Sequence, residues 1–357
     1  MAIITVQGLI NSDEAGLILP HEHILLDLTN QYREYPEASK VSWAHEKVSL
    51  ENRDILARNP LALKDNLLID DVECAEKEVL RFKKAGGDTI VDVTNRGLGR
   101  DPDSLYGISR STGVHIVAGS GYYYHDTHPE DMNEKTAEQI RDEIVRDISE
   151  GIDDTEIRAG VIGEIGISEE MHPDEEKVLI GVAQAQAATG VGVQVHIFPW
   201  NPKGFPLGLE TLKILIKNSA DVHKVSINHV DVAMDINLDY IKAITEQGAF
   251  VEFDNFGHEF YVDKRSRKFL PGPFATDVQR IRAIFALIEA GFLDNILISS
   301  DICHKSLLHK YGGWGYDHVP YNVIPMLREF GLSSEQIRTI TKENPYKFLN
   351  TDQIKAE

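Results

Sequence analysis

Six residues that can bind a metal ion stand at or just beyond the ends of five apolar segments rich in β-branched side chains. The first two are separated by one residue, so in a strand both imidazoles point to the same face and can reach one ion. Imidazole and carboxylate ligands suit zinc, manganese, iron, nickel or cobalt. The six residues are His21, His23, Glu164, His196, His229 and Asp301.

Each of these residues has a simpler explanation when it is taken alone. A pair of histidines two positions apart is often incidental, and His196 or His229 can be a core histidine that bonds to a backbone carbonyl. Taken together they are harder to explain, because polar groups buried without partners are costly. Divalent ions would satisfy such a cluster, and the sequence therefore predicts a metal centre.

We expect two divalent ions, with zinc as the first candidate, held about 3.5–4 Å apart around a shared hydroxide. The ions would lower the pKa of the water that supplies this hydroxide toward neutrality. The hydroxide would attack a polarised C=O or P=O bond. Asp301 is the predicted catalytic residue, since its second oxygen can take the hydroxide proton and pass it to the leaving group. The ligands divide as His21, His23 and Asp301 on one ion, His196 and His229 on the other, and Glu164 as the bridge.

Eight apolar runs, most of them nearly continuous, predict parallel strands that are buried on both faces. Helical patterns lie between them, at 70–84, 133–150, 174–189, 209–218, 239–247 and 276–290, with a last helix at 334–349. The alternation predicts a TIM-type (β/α)8 barrel that forms a single domain over residues 1–357. A doubly wound sheet is the alternative, but six ligands at strand ends converge only in a closed ring. The runs lie at 17–20, 89–94, 115–119, 160–164, 192–197, 225–229, 249–253 and 296–300.

Two regions interrupt the repeat and are expected to shape the substrate pocket. Residues 31–69 form a long polar insertion after strand 1, and residues 255–275 follow strand 7. The second region carries a basic run at 264–268, which either guides an anionic group inward or is a solvated loop.

The net charge of −21 argues against binding of nucleic acid or anionic membranes. No apolar stretch reaches the length of about 18 residues that a transmembrane helix needs. The two cysteines, Cys74 and Cys303, argue against a disulfide framework and favour a reducing, cytoplasmic compartment. The expected partner is a small-molecule substrate, and the net negative charge of the protein does not exclude an anionic one. The aromatic loops are compatible with a homodimer.

Several motifs around the ligands resemble the amidohydrolase superfamily and, within it, the phosphotriesterase-like group. In phosphotriesterases proper the bridging ligand is a carboxylated lysine. This chain has Glu164 at that position, and in this respect it resembles the phosphotriesterase homology proteins. The resemblance extends over nearly the whole chain and implies a binuclear hydrolase, with relatives that hydrolyse lactones, carboxylic esters and N-acyl compounds. The motifs are Pro20-His21-Glu22-His23, Gly163-Glu164-Ile165-Gly166, Val195-His196, Asn228-His229-Val230-Asp231, Ser300-Asp301-Ile302 and Glu343-Asn344-Pro345.

Four further residues are candidates for substrate binding. Arg96, after strand 2, can clamp an anionic group through its planar fork or can form a structural ion pair. Tyr123, after strand 3, can donate a hydrogen bond to the substrate. Asp254 and Phe256, after strand 7, are expected to line the pocket.

The leading hypothesis is a metal-dependent hydrolase of small lactones, carboxylic esters or N-acyl amides. A phosphotriester-type hydrolase is an alternative. A mononuclear deaminase on the same barrel is less favoured, because it needs an acid in a His-x-x-Glu pattern and His196 is followed by Ile197-Phe-Pro-Trp200. A third class is a binding protein without turnover. The presence of all six ligands argues against it.

Overall fold

The computed structural model describes residues 1–32, 34–35, 37–198, 207–262 and 273–353. Its centre is a sheet of eight parallel strands, hydrogen-bonded in chain order from the first to the last. The strands are short, apolar and almost entirely buried, as strands covered by helices must be. They are β1 (Ile18–Glu22), β2 (Thr89–Asp92), β3 (His115–Ser120), β4 (Ala159–Ile167), β5 (Gly192–Ile197), β6 (Val225–Ile227), β7 (Phe250–Phe253) and β8 (Ile296–Ile298).

Helices follow the strands and cover the outside of the sheet, so the predicted (β/α)8 barrel is confirmed. The first seven are α1 (Val72–Lys84), α2 (Pro102–Thr112), α3 (Ala137–Ser149), α4 (Pro173–Thr189), α5 (Leu207–Lys217), α6 (Leu238–Thr245) and α7 (Asp277–Glu289). The helices after β8 are α8 (Ile324–Glu329), α9 (Ser334–Arg338) and α10 (Asn344–Leu349). A π-helical segment, Thr339–Glu343, joins the last two over the range predicted as one helix.

The helix after β2 was not predicted from the apolar spacing, although its ends carry clear signals. The side chain of Asp101 accepts a hydrogen bond from the backbone N–H of Ser104, and Pro102 occupies the first helical position. Gly113 ends the helix in the left-handed conformation, at φ 71°. An N-terminal Asp-Pro and a C-terminal glycine mark a helix even where its apolar face is weak.

Glu22 joins the first and last strands of the barrel. Its Oε1 accepts hydrogen bonds from Ser299 Oγ at 2.7 Å and from the backbone N–H of Ser300 at 2.8 Å. Its Oε2 accepts from the backbone N–H of Ile302 at 2.9 Å. The backbone N–H of His21 also donates to Ser299 Oγ, at 3.2 Å. The residues after β8 are thereby fastened to β1.

The insertion after β1 is more ordered than the polar loop expected from its composition. A short antiparallel pair, Leu26–Asp27 with Leu68–Ile69, closes its base. Between these strands lie the 3-10 helices Ala38–His45, Leu50–Asn52 and Lys64–Leu67 and the helix Arg53–Leu56. The insertion has a small apolar core of its own, formed by Val48, Leu56, Ala62 and Leu63.

The opposite end of the barrel is closed by the N-terminal hairpin, Ile3–Thr5 with Gly8–Ile10, and by the helix Ser12–Ala15. Ile3 packs with Val161 and Phe348 inside the barrel. The centre is therefore a filled core, and open space near the ligands lies at the carboxyl ends of the strands. Within the described residues, no helix combines the length and the apolar composition that crossing a membrane requires.

Candidate metal centre

All six predicted ligands lie at the carboxyl ends of barrel strands, the end where the active sites of such barrels are built. His21 lies near the end of β1, and His23 follows that strand. Glu164 lies in β4 and His196 in β5. His229 follows β6, and Asp301 follows β8. Five of them are buried, and the side chain of His196 is 14 % exposed. The structure therefore brings together the residues that the sequence singled out.

Glu164 lies at the centre of the cluster and approaches all four imidazoles. Its Oε1 is 3.3 Å from His23 Nε2. Its Oε2 is 2.9 Å from His196 Nδ1, 3.6 Å from His21 Nε2 and 3.7 Å from His229 Nε2. One carboxylate thus lies within 4 Å of a nitrogen atom from each of the four histidines.

Asp301 faces the first pair of histidines from the other side of the cluster. Its Oδ1 is 3.5 Å from His23 Nε2 and 3.8 Å from His21 Nε2. Burial alone would raise the pKa of Asp301, but the imidazoles of His21 and His229 hold it below its usual range. The group is therefore an anion that can bind a cation or accept a proton.

All four imidazoles use their second nitrogen atom for a hydrogen bond away from Glu164. His21 Nδ1 is 3.0 Å from Asn228 Nδ2. His23 Nδ1 is 2.8 Å from Thr94 Oγ1, and His229 Nδ1 is 2.9 Å from Asp254 Oδ1. His196 Nε2 is 2.5 Å from the Tyr124 hydroxyl. Such outer partners fix the orientation of a metal-binding imidazole and its tautomer. In each case the nitrogen that remains faces the cluster.

Within the described part of the chain, two buried atoms at the centre, His21 Nε2 and Asp301 Oδ1, have no hydrogen-bond partner. Together with His23 they offer three ligand atoms within 4.8 Å of one another, as do His21, Glu164 and His229. Unpaired polar atoms that converge in this way fit a bound cation, since burial without a partner is costly.

The charge around the cluster also favours a cation. Burial alone would lower the pKa of His21, but Glu252, Glu164 and other nearby carboxylates raise it to about 10. Burial opposes ionisation of Glu164, yet the surrounding imidazoles hold its pKa well below the usual range. Burial lowers the pKa of His196, which favours its neutral form. The donor set and its electrostatics fit divalent metal ions.

A cavity of about 170 Å³ opens above the cluster and is reached by His196, His229 and Asp301. Its wall is largely apolar, and within the described part of the chain it carries no lysine or arginine. Polar groups enter it from Tyr123, Tyr124, His258 and His304. Burial lowers the pKa of His304 to about 3, so this ring is uncharged. The apolar wall includes Leu61, Phe198, Val232, Phe260 and Phe274.

The cavity wall includes one of the four residues that the sequence assigned to substrate binding. Tyr123 lines it, with its hydroxyl 3.3 Å from His196 Nε2. The other three are not among the described residues that line this cavity. Asp254 is fully buried and bonds to His229 and Asn255, and Phe256 is packed in the apolar core.

Arg96 lies outside the cavity wall as well. Its guanidinium is 3.6 Å from carboxylate oxygens of both Glu143 and Asp153. These contacts match the structural ion pair that the sequence left open as the alternative. They do not support a role for Arg96 in binding an anionic substrate group. The basic run at 264–268 lies outside the described residues.

Three residues at the site were missed by the sequence interpretation. Tyr124 bonds to His196 and was not singled out, although its neighbour Tyr123 was. His258 donates from Nε2 to the backbone carbonyl of Asp301 at 2.9 Å, and no motif marks it. Glu22 stands between the two histidines of the first motif, where its spacing alone suggested no role.

The chain is similar to known proteins in both sequence and structure. A model of the phosphotriesterase family matches residues 1–349. N-acetyltaurine hydrolase from Dictyostelium discoideum is 36% identical, over 97% of this chain and 96% of that protein.

Two solved structures have the same fold along their full lengths. A resiniferatoxin-binding protein from Rhodobacter sphaeroides aligns with a TM-score of 0.92 at 36% identity, over 98% of this chain and 95% of that chain. A lactonase from Listeria monocytogenes aligns with a TM-score of 0.75 at 25% identity, over 98% of this chain and 99% of that chain. The resemblance suggested by the sequence motifs is confirmed: the chain belongs to the phosphotriesterase family and is a metal-dependent hydrolase.

Proposed function

We propose that residues 1–357 act as one domain and form a binuclear hydrolase of small N-acyl amides, carboxylic esters or lactones. The observation that carries the proposal is the position of Glu164, whose two oxygens approach all four imidazoles while Asp301 faces His21 and His23. Zinc is the first candidate for both ions. We assign one ion to His21, His23 and Asp301 and the other to His196 and His229, with Glu164 as the bridge.

N-acyl amides are the favoured substrates within this class. The support is the N-acetyltaurine hydrolase of Dictyostelium, which is 36% identical over 97% of this chain. A lactone is the second candidate, because the Listeria lactonase shares the fold over 98% of the chain, at the lower identity of 25%. A phosphotriester is the remaining alternative.

When bound, two divalent ions would lower the pKa of a water molecule and polarise the carbonyl of the substrate. Asp301 is ionised and faces the same space, so it can accept a proton and return it to the leaving amine or alcohol. Tyr123 presents its hydroxyl at the cavity wall, where it can donate a hydrogen bond to the substrate. The apolar wall excludes water and strengthens these polar contacts.

The role of Asp301 gives the first testable prediction. Asp301→Asn is close to isosteric but cannot accept the proton, so kcat should fall by a factor of about 10²–10⁴. The assay uses N-acetyltaurine, uncharged N-acetylethanolamine and γ-butyrolactone, with metal content measured on each preparation. The control is Asp147→Asn, because Asp147 is also buried but bonds to Arg100 and Ser120 away from the cluster. Undiminished turnover in metal-loaded Asp301→Asn would remove Asp301 from the mechanism.

A further inference from the structure

We infer that Glu22 is a positioning residue for Asp301: its carboxylate holds residues 299–302 and thereby aims the Asp301 carboxylate at His21 and His23. The inference rests on the proposed function, which gives Asp301 the proton. It assigns Glu22 no contact with substrate or metal.

The hydrogen bonds of Glu22 bracket Asp301 on both sides along the chain. Oε1 accepts from the backbone N–H of Ser300 at 2.8 Å, one residue before Asp301. Oε2 accepts from the backbone N–H of Ile302 at 2.9 Å, one residue after it. Ser299 Oγ donates a third hydrogen bond to Oε1 at 2.7 Å. Both oxygens of a fully buried carboxylate are thus used on this one segment.

The position of Glu22 in its strand explains how it reaches that segment. Alternate side chains of a strand point to opposite faces, so His21 and Glu22 point in different directions. The imidazole of His21 turns to Glu164 and Asp301, while the carboxylate of Glu22 turns to the end of β8. One short motif therefore supplies both ligands and the group that places a third ligand from the far end of the chain.

The backbone of Asp301 needs such a restraint. Its φ is +44°, in the left-handed region that residues other than glycine seldom adopt and that surrounding structure must enforce. Among the described residues, its Oδ1 has no hydrogen-bond partner. The backbone carbonyl accepts from His258 Nε2 at 2.9 Å, which supports the segment from the opposite side. The way its backbone is held therefore helps to set the direction of the Asp301 side chain, which also has a hydrogen bond with the side chain of Cys303.

A neutral amide cannot replace the carboxylate of Glu22 in this setting. All three of its partners donate hydrogen bonds, and a glutamine offers one oxygen and one NH2 group. The NH2 group would face the N–H of Ser300 or that of Ile302, so one restraint on Asp301 would become repulsive.

The test compares Glu22→Gln with Glu78→Gln. Glu78 is a buried carboxylate that accepts hydrogen bonds from the backbone N–H groups of His309 and Lys310, farther along the same loop. The two variants carry the same substitution and loosen the same loop, but only Glu22 contacts the residues beside Asp301. Each is loaded with Co²⁺, and its visible absorption spectrum is recorded beside those of wild type and Asp301→Asn.

We expect the cobalt spectrum of Glu22→Gln to shift in the direction of the Asp301→Asn spectrum. With N-acetyltaurine, kcat should fall about 10- to 100-fold, the usual cost of losing an outer partner of a metal ligand. KM should stay within about threefold of wild type, since the lost function is proton transfer and not binding. Glu78→Gln should keep the wild-type spectrum and kcat.

A wild-type spectrum and kcat in Glu22→Gln would overturn the inference, and so would equal losses in both glutamine variants. If Glu22→Gln does not fold, Glu22→Asp decides by the same criteria, because it keeps the charge and shortens the reach. The cobalt spectrum needs no substrate, so it is informative whatever the enzyme hydrolyses. Full turnover in Asp301→Asn would instead count against the proposed function, and the two failures are thereby distinguished.

Discussion

At the scale of single residues, the cluster depends on groups that never face the cavity. Asp254 illustrates this, because its Oδ1 binds His229 Nδ1 at 2.9 Å and its Oδ2 accepts the backbone N–H of His229 at 3.0 Å. His229 is itself held at φ +59°, a conformation uncommon outside glycine. The carboxylate therefore fixes both the ring and the backbone of a ligand, which explains why a residue expected in the pocket lies behind it.

Asp254→Asn should therefore weaken metal binding at the pair formed by His196 and His229. The substitution removes the charge that favours the required tautomer of His229, and the expected loss of metal affinity is about 10- to 100-fold. The measurement is a competition titration with a chelator of known affinity. Asp147→Asn serves again as the control, with wild-type affinity expected. Unchanged affinity in Asp254→Asn would mean that His229 does not need its outer partner.

At the scale of elements, the strands were predictable because each is an apolar run bounded by polar residues. The (β/α)8 order and the six ligand positions followed from that pattern together with the family resemblance. The contacts between elements were not predictable in the same way. Arg96 pairs with Glu143 on α3, and no local pattern relates residues so far apart in the chain. The apolar core of the insertion was missed for a similar reason, since its four residues are scattered among polar ones.

Gly166 in β4 shows how one element places another. A Cβ at this position would lie 2.4 Å from the backbone nitrogen of Tyr124 and 2.6 Å from the carbonyl carbon of Tyr123. The segment that carries both tyrosines therefore packs directly on the backbone of β4. Its approach to His196 depends on the missing side chain.

We expect Gly166→Ala to lower the free energy of unfolding by about 1–3 kcal/mol, as overpacking does, and to lower turnover by displacing the tyrosines. The control is Gly107→Ala in α2, where a Cβ would meet nothing within 4 Å. That change should be neutral or stabilise the protein by about 0.5–1 kcal/mol, because alanine favours a helix. Urea unfolding and a turnover assay measure both variants. Equal stability of the two would contradict the close packing at Gly166.

At the scale of the whole molecule, the ligands span positions 21 to 301 of the chain and come from the first strand of the barrel, from the last, and from strands between them. Ions held among them would tie β1 to β4, β5, β6 and β8. Binding to the folded state alone stabilises a protein by mass action. The metal centre should therefore contribute to stability as well as to catalysis.

Removal of the metal ions should accordingly lower the thermal unfolding temperature. One ion at a free concentration 1,000 times its Kd stabilises the fold by about 4 kcal/mol. Calorimetry of protein dialysed against a chelator, before and after zinc is restored, measures the effect. Glu164→Ala should respond less to zinc than wild type. An unfolding temperature that is independent of zinc would contradict the link between the centre and the fold.

The central claim is that Glu164 bridges two ions, and metal content tests it most directly. The measurement is the number of ions per chain in wild type and Glu164→Ala, both purified without chelator. The account predicts two ions in wild type and a clear loss in the variant. One ion per chain, unaffected by the substitution, would contradict it and would favour a mononuclear site on the same barrel.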